Sequence, residues 1–568
     1  MASIASDYLL TDDLTILLSL IAATVFLVNN LYKPQPLVHP ILLGRQSDVG
    51  RARNPGESAI YRNYGTGLMG RFPLRPGKDV HIIADFVRPE IEAPRTLWST
   101  KLTNTHLQDR AAAFGTGLLR LARLQTQKSN VLVLLNDCLE FIVADLALAS
   151  HSITSLTLSS VTLLPTVLES HALSAIVTHA FFLPQLLELI YETDKRTTEH
   201  IIVVVGEPSA QAMSSVASNI KILRFADLER EGVKVEKVLS PLPKPSDVFT
   251  ISFYRTTSGH LQGAHFTHEN MTAGVTAVRA LLPLSHAFSP LDTIVSAHSM
   301  NTAYGRAIAY TAIYEGTSFA SIPGSEIYHA DESDVKVENA EVIATRKYPI
   351  PSPTVMFIKP GHLTSIVSGI NSEAKKSWLL HAFAWRHKVA GVADGFITNQ
   401  SLWDRLVFDG ARARVIGDSA ATLRAVVVSG GHLDATILTS ARVALSVPFV
   451  NAFTHPLVTA PVLASHALDL QDFCITTKDE TTSKAVVPNG PPGVNVEVKL
   501  MGILDDIVEK GGDPSGELFV RGPPVGKMVN LEDYVDVPSG DSPENYEWVE
   551  MDVKARVRPN GSFTVLES

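Results

Sequence analysis

Short β-prone runs alternating with helical patterns constrain this chain more than any other feature. Val131–Leu135, Ile176–Thr178 and Ile201–Val205 are apolar runs, and Asp137–Ala149 and Leu183–Tyr191 between them carry helical spacing, as does Leu107–Leu121 upstream. Strands joined through helices lie parallel, and a parallel sheet needs helices on both faces. An α/β fold follows. At 568 residues the chain exceeds what one core organises, so two or three domains are expected.

The N-terminal end carries a different pattern. Leu14 to Leu31 is an apolar run broken only by Thr15, Ser19, Thr24, Asn29 and Asn30. Its length is at the short end of what a bilayer needs. Asp7, Asp12 and Asp13 precede it, and Lys33, Arg45, Arg51 and Arg53 follow. A cleaved signal would have a basic start. The basic flank here predicts a single transmembrane helix at 14–32, a lumenal N-terminus at 1–13 and a body facing the cytosol, with the endoplasmic reticulum as the expected membrane. Residues 33–80, rich in Pro, Gly and Arg, read as a tether. A net charge of −10 and a pI near 6.0 argue against a nucleic-acid partner. Cys138 and Cys474, the two cysteines, sit in apolar patterns and read as buried free thiols of a reducing compartment.

The stretch Val248 to Asn270 carries chemistry. An apolar run to Tyr254 stops at Thr256-Thr-Ser-Gly259, and a helical pattern follows from Asn270. Strand, small-residue turn and helix form a context in which backbone N–H groups cradle phosphate. The stretch resembles the phosphate loop of the adenylate-forming enzymes, the acyl-CoA synthetase superfamily. Thr257-Ser258-Gly259 and Thr267-His268-Glu269-Asn270 match that motif; Arg255, Thr256, Leu261 and Gln262 stand where the family has Ser, Gly, Pro and Lys.

The resemblance extends over roughly 105–566. Asp292–His298 and Tyr304-Gly-Arg306 occupy the region beside the family's acyl tunnel, which makes His298 the candidate acyl-pocket residue. Pro353–Phe357 followed by Pro360 resembles the strand where that tunnel begins. Leu402-Trp-Asp-Arg-Leu-Val-Phe408 is similar to a signature of the long-chain branch. Leu423–Gly431 resembles the strand and turn that pack on adenine, nominating Gly430 and Gly431. In Ala452–Leu457, Phe453 stands for the aromatic that stacks on adenine, while Pro456 and Leu457 replace the phosphate-contacting Thr and the Mg²⁺-holding Glu. Val494–Leu500 and Gly516–Gly522 alternate as strands and resemble a small β-barrel subdomain. Asp552, after Trp548, stands near the ribose-binding Asp.

The resemblance implies two packed, mostly parallel sheets flanked by helices, plus the β-barrel: a first α/β subdomain at 81–248, a second with the AMP-binding motifs at 249–470, and the barrel at 471–568. The nucleotide-binding set is then Arg255, Thr257, Ser258, Gly259, Gly430, Gly431, Phe453 and Asp552. ATP or AMP is expected to bind weakly or not at all, Mg²⁺ is not expected, and CoA is expected only if a C-terminal domain is supplied, since the chain ends near the family's hinge. The expectation is a membrane-anchored relative of long-chain acyl-CoA synthetases with impaired catalysis that holds an acyl lipid. The alternative is an active ATP-dependent fatty acid–CoA ligase.

Overall fold

The computed structural model describes residues 13–31, 35–67, 71–192, 200–235, 241–329, 349–471, 487–529 and 546–566, so Cys474 lies outside the described residues. Three sheets form the body. In the first, six parallel strands run in the order Val248–Arg255, Thr154–Leu158, Asn130–Leu134, Ala175–His179, His200–Val205 and Ile220–Arg224. The antiparallel strands Leu261–Thr267 and Lys527–Val529 extend its edge. The runs that are continuously apolar in sequence are the central strands, buried by helices on either side.

The second sheet is parallel through Phe449–Phe453, Ala425–Val428, Val355–Ile358, Thr293–Ser296, Ser318–Ser321 and Arg95–Leu97. Leu463–Ala464 and Thr100–Leu102 close its two edges antiparallel. The third sheet is antiparallel, in the order Asp48–Arg51, Ile60–Arg62, Glu497–Met501, Ser515–Arg521, Val549–Val557 and Phe563–Val565. Its outer strands share no ladder among the described residues. The residues just before them meet, with Gln46 N donating to the Asn560 carbonyl at 2.7 Å, so the sheet curls round on itself at the place of the expected barrel. Part of the stretch read as a tether belongs here: Asp48–Arg62 forms a hairpin, in which Ile60 is buried and Tyr61 packs edge-on against Phe563.

Buried polar contacts join the first two sheets. Arg306, on helix Ala303–Glu315, pairs with Asp145 of helix Leu139–Ser150 at 3.3 Å, with the two side chains 1% and 3% exposed. Asn301 donates to the Leu135 carbonyl at 2.8 Å.

The N-terminal run does form a helix, Asp13–Leu31, and its described large apolar side chains are exposed. Among the described residues, however, no helix is long and apolar enough to cross a membrane. The transmembrane helix expected at 14–32 is therefore not found. Leu14 to Val28 rises only about 22 Å, against a hydrocarbon core of about 30 Å, and Asn29 and Asn30 end the apolar stretch.

Candidate functional site

Ligands of parallel α/β sheets bind beyond the carboxyl ends of the strands, and His298, Gly430, Gly431 and Phe453 collect there on the second sheet, whereas Arg255, Thr257, Ser258 and Gly259 sit on a hairpin of the first sheet and Asp552 on a strand of the third. Thr293–Ser296, Val355–Ile358 and Ala425–Val428 are neighbours. His298, Lys359 and Ser429-Gly430-Gly431 follow their ends. His298 Nε2 lies 2.9 Å from Ser429 Oγ, and its ring meets Tyr304 edge-on at 5.1 Å. Gly430 has φ +79°, and a Cβ there would stand 3.1 Å from His298 Cε1, so the turn requires glycine for conformation and for space. Burial pushes His298 down to about 3, helped by the nearby Lys359 and His362, so its imidazole is neutral.

Phe453 ends the next strand. Val428 pairs with Asn451, so the Gly430 turn and Phe453 leave adjacent strands, about 4.8 Å apart, at the same level. Two residues on, His455 meets Tyr254 edge-on at 6.1 Å, and burial lowers His455 to about 4. Tyr254 is raised first by burial and then by the charge of Asp552. Tyr254, His455 and Asp552 thus share one region next to Phe453. Asp552 is exposed, has φ +50° and sits at an irregularity in the pairing of its strand.

The loop carrying Arg255, Thr257, Ser258 and Gly259 differs from its expected context. It is a hairpin, with Arg255 paired to Leu261, and the strand Leu261–Thr267 separates it from helix His268–Arg279. That helix N-terminus is therefore not at the loop. The loop satisfies its own polar groups: Thr256 Oγ1 lies 2.8 Å from Ser258 Oγ, and Thr256 N donates to the His260 carbonyl at 2.9 Å. Arg255, Thr257, Ser258 and Gly259 are exposed.

The matching tail has structural work. Thr267 Oγ1 accepts from Asn270 N at 3.2 Å, Asn270 Oδ1 accepts from Thr267 N at 2.8 Å, and Asn270 Nδ2 donates to the Pro523 carbonyl at 2.6 Å. This reciprocal cap starts the helix and ties it to the C-terminal part of the chain. At the substituted positions, Gln262 Nε2 donates to the Val529 carbonyl at 2.9 Å, and Leu457 is a core residue, 1% exposed.

Two residues missed in the sequence belong to this site. Lys359 is half-buried, lowered by burial and raised by Asp137, and forms no hydrogen bond from its ammonium group among the described residues. Its sequence signal is a lone lysine directly after the buried strand Val355–Ile358. Asp137 follows Asn130–Leu134 and accepts from Met300 N at 2.8 Å, Ser299 Oγ at 3.1 Å and Ser325 Oγ at 3.1 Å, clamping the first sheet to the second.

Burial raises the Asp137 carboxyl from 3.8 to about 7. A raised carboxyl keeps its proton in the fold while the unfolded chain releases it, so stability falls as pH climbs from about 4 to 7. Asp137→Asn keeps an acceptor for Met300 N and puts an amide donor toward Ser325. It should match the parent near pH 5 and exceed it at pH 8 by on the order of 3 kcal/mol. Denaturant melts at both pH values check this; an equal difference at both would refute it.

A turn on glycine, an aromatic strand end and a Thr/Ser/Gly hairpin, set on a parallel sheet with a companion sheet, define an adenylate-forming fold. The chain belongs to the AMP-binding enzyme family, whose model matches residues 88–529. It is 25% identical over 330 residues to long-chain-fatty-acid–CoA ligase 1 of Homo sapiens, covering 57% of this chain and 42% of that protein. It is 26% identical over 301 residues to the peroxisomal long chain acyl-CoA synthetase 7 of Arabidopsis thaliana, covering 50% and 39%. These matches span about two fifths of the relatives' length. Among solved structures, an anthranilate CoA ligase in complex with anthranoyl-AMP superposes with a TM-score of 0.58 at 16% identity, over 86% of this chain and 78% of that one. A long-chain-fatty-acid-CoA ligase from Archaeoglobus fulgidus gives 0.57 at 14%, over 87% and 85%.

Proposed function

We propose that this is a membrane-associated acyl-CoA synthetase-like protein that holds a long-chain acyl lipid and has impaired ligase chemistry. The observation that carries the reading is Leu457. It stands where the resemblance puts the metal-holding carboxylate, and its side chain is packed in the core with no oxygen to offer a hard cation. Gln262, in the place of the loop Lys, is engaged with Val529. The residues present fit the nucleoside end of a nucleotide, through Phe453 and the exposed Gly430 turn, better than a metal-bound triphosphate. The membrane part of the proposal rests on the apolar helix Asp13–Leu31 and the basic flank after it, with the body facing the cytosol.

Two lost charge-assisted contacts, each worth roughly 1.5–3 kcal/mol, predict weak binding that barely distinguishes ATP from AMP and hardly responds to Mg²⁺. Calorimetry with both nucleotides, with and without the metal, measures this. Tight, Mg²⁺-dependent ATP binding with fatty-acid-dependent pyrophosphate exchange would overturn it.

Lys359 favours a second reading, an active ATP-dependent fatty acid–CoA ligase. A desolvated ammonium beside His298 and the Gly430 turn suits a carboxylate or a phosphate. On that reading Lys359→Met abolishes pyrophosphate exchange; on the first there is no exchange to lose.

A further inference from the structure

Helix Trp378–Ala393 turns Ala384, Lys388 and Val392 inward, and its other side is left uncovered by the described residues. Trp378, Leu379 and Phe383 are 71%, 54% and 61% exposed. A large, bare apolar side belongs against something, since single exposed leucines are ordinary but a contiguous group is not. Phe383 stacks on Trp403, with ring centroids 6.5 Å apart and planes 15° apart. That contact brings in the neighbouring segment, where Leu402 is 65% and Leu406 56% exposed. The two elements make one apolar face.

Its rim is cationic on a chain whose net charge is −10. Lys375, Lys376, Arg386 and Arg405 are exposed around it, with Glu373 engaged by Lys376 and Arg414. Aromatic and leucine side chains ringed by Lys and Arg suit an anionic bilayer surface, where the rings sit at headgroup depth.

The chain's path adds a second argument. Leu37 N donates to the Gly395 carbonyl at 3.0 Å, and Pro36 lies 3.2 Å from where a Gly395 Cβ would stand. Gly395 lies just beyond the C-terminal end of helix Trp378–Ala393. Leu31 is only four residues before Gln35, at most about 15 Å of chain. The exposed apolar helix Asp13–Leu31 therefore joins the body at the end of this same helix.

We propose that the face formed by helix Trp378–Ala393 and the segment Leu402–Leu406 is a bilayer-docking surface for anionic phospholipid, holding the body flat on the membrane. It extends the membrane-association reading but involves different residues, and the two are separable. The full chain, in a Cys138→Ala, Cys474→Ser background, carries an environment-sensitive fluorophore on Leu379→Cys or Leu402→Cys, with Met213→Cys, 44% exposed on helix Ala210–Ser214, as the control. Phosphatidylcholine–phosphatidylserine vesicles should blue-shift and several-fold brighten the first two labels and leave the third unchanged, with a weaker response to phosphatidylcholine alone.

Co-sedimentation without a shift at Leu379 or Leu402 would keep the membrane reading and overturn this one. Neither sedimentation nor shift would overturn both. A blue shift before vesicles are added would also overturn the proposal: if it depended on protein concentration, a second copy covers the face, and otherwise another part of the same chain does. Equal shifts at all three labels, or no preference for phosphatidylserine, would likewise count against an anionic-lipid surface.

Discussion

Arg306→Met is expected to lower stability by about 3–5 kcal/mol, the cost of leaving a buried charge without its partner. Arg306 reaches in three directions: to Asp145 at 3.3 Å, to the Met300 carbonyl at 3.1 Å and to Thr157 Oγ1 at 3.3 Å. Asp145 also accepts from Tyr310 at 2.6 Å and from Ser155 at 3.3 Å, so removing the arginine leaves a carboxylate held by hydroxyls alone. Arg306→Lys should rescue little, because one ammonium cannot span the positions a guanidinium fork reaches. Removing both charges, as Arg306→Met with Asp145→Leu, should recover part of the loss. Denaturant unfolding measures all of these variants. A loss below about 1 kcal/mol for Arg306→Met would show that the pair is not what joins the two sheets.

Sequence legibility followed burial and local chemistry. Val131–Leu135 and Ile201–Val205 were readable because a strand covered on both faces is apolar throughout. The third sheet's Glu497–Met501 and Ser515–Arg521 were readable through alternation. Leu261–Thr267 was not: Gln262, Gly263 and His265 interrupt any apolar pattern, since one neighbour is the short edge strand Lys527–Val529. Missing that strand put the helix against the phosphate-like loop. The hairpin Asp48–Arg62 was hidden by flanking Pro, Gly and Arg, which score as linker although Ile60 is buried.

At the site, His298, Gly430 and Phe453 could be nominated by resemblance because each lies at or just past a recognisable strand end. Lys359 and Asp137 could not, since a single charged residue beside an apolar run says nothing of what faces it. The Thr267–Asn270 match shows the same limit. Its residues are legible as a motif, but their contacts with one another and with Pro523 appear only in the fold.

The Leu402–Phe408 signature illustrates this most sharply and carries the second large effect. Asp404 within it is fully buried, 2.6 Å from Lys388 Nζ and 2.8 Å from Arg412 Nη2, and it accepts from Ser401 Oγ at 2.6 Å. The signature thus sets helix Trp378–Ala393 against helix Asp409–Ile416 through one carboxylate between two cations. Burial lowers Lys388 to about 8 despite its partner, so its charge is maintained by Asp404 against desolvation. Asp404→Ala should cost about 3–5 kcal/mol, because buried Lys388 loses its carboxylate and Arg412 is left with Asp409 alone, at 3.0 Å. Asp404→Asn keeps the shape and an acceptor but removes the charge, and should lose nearly as much. Lys388→Met combined with Asp404→Leu should lose less than Asp404→Ala, because the remaining Arg412 still pairs with Asp409 and donates to the Ala444 carbonyl and Ser446. Thermal and denaturant melts of these variants, read beside acyl-lipid retention by native mass spectrometry, separate a folding role from a ligand-reading one. If Asp404→Asn melted like the parent and lost only its lipid, the signature would act on the acyl chain and the triad would not be what holds these helices together.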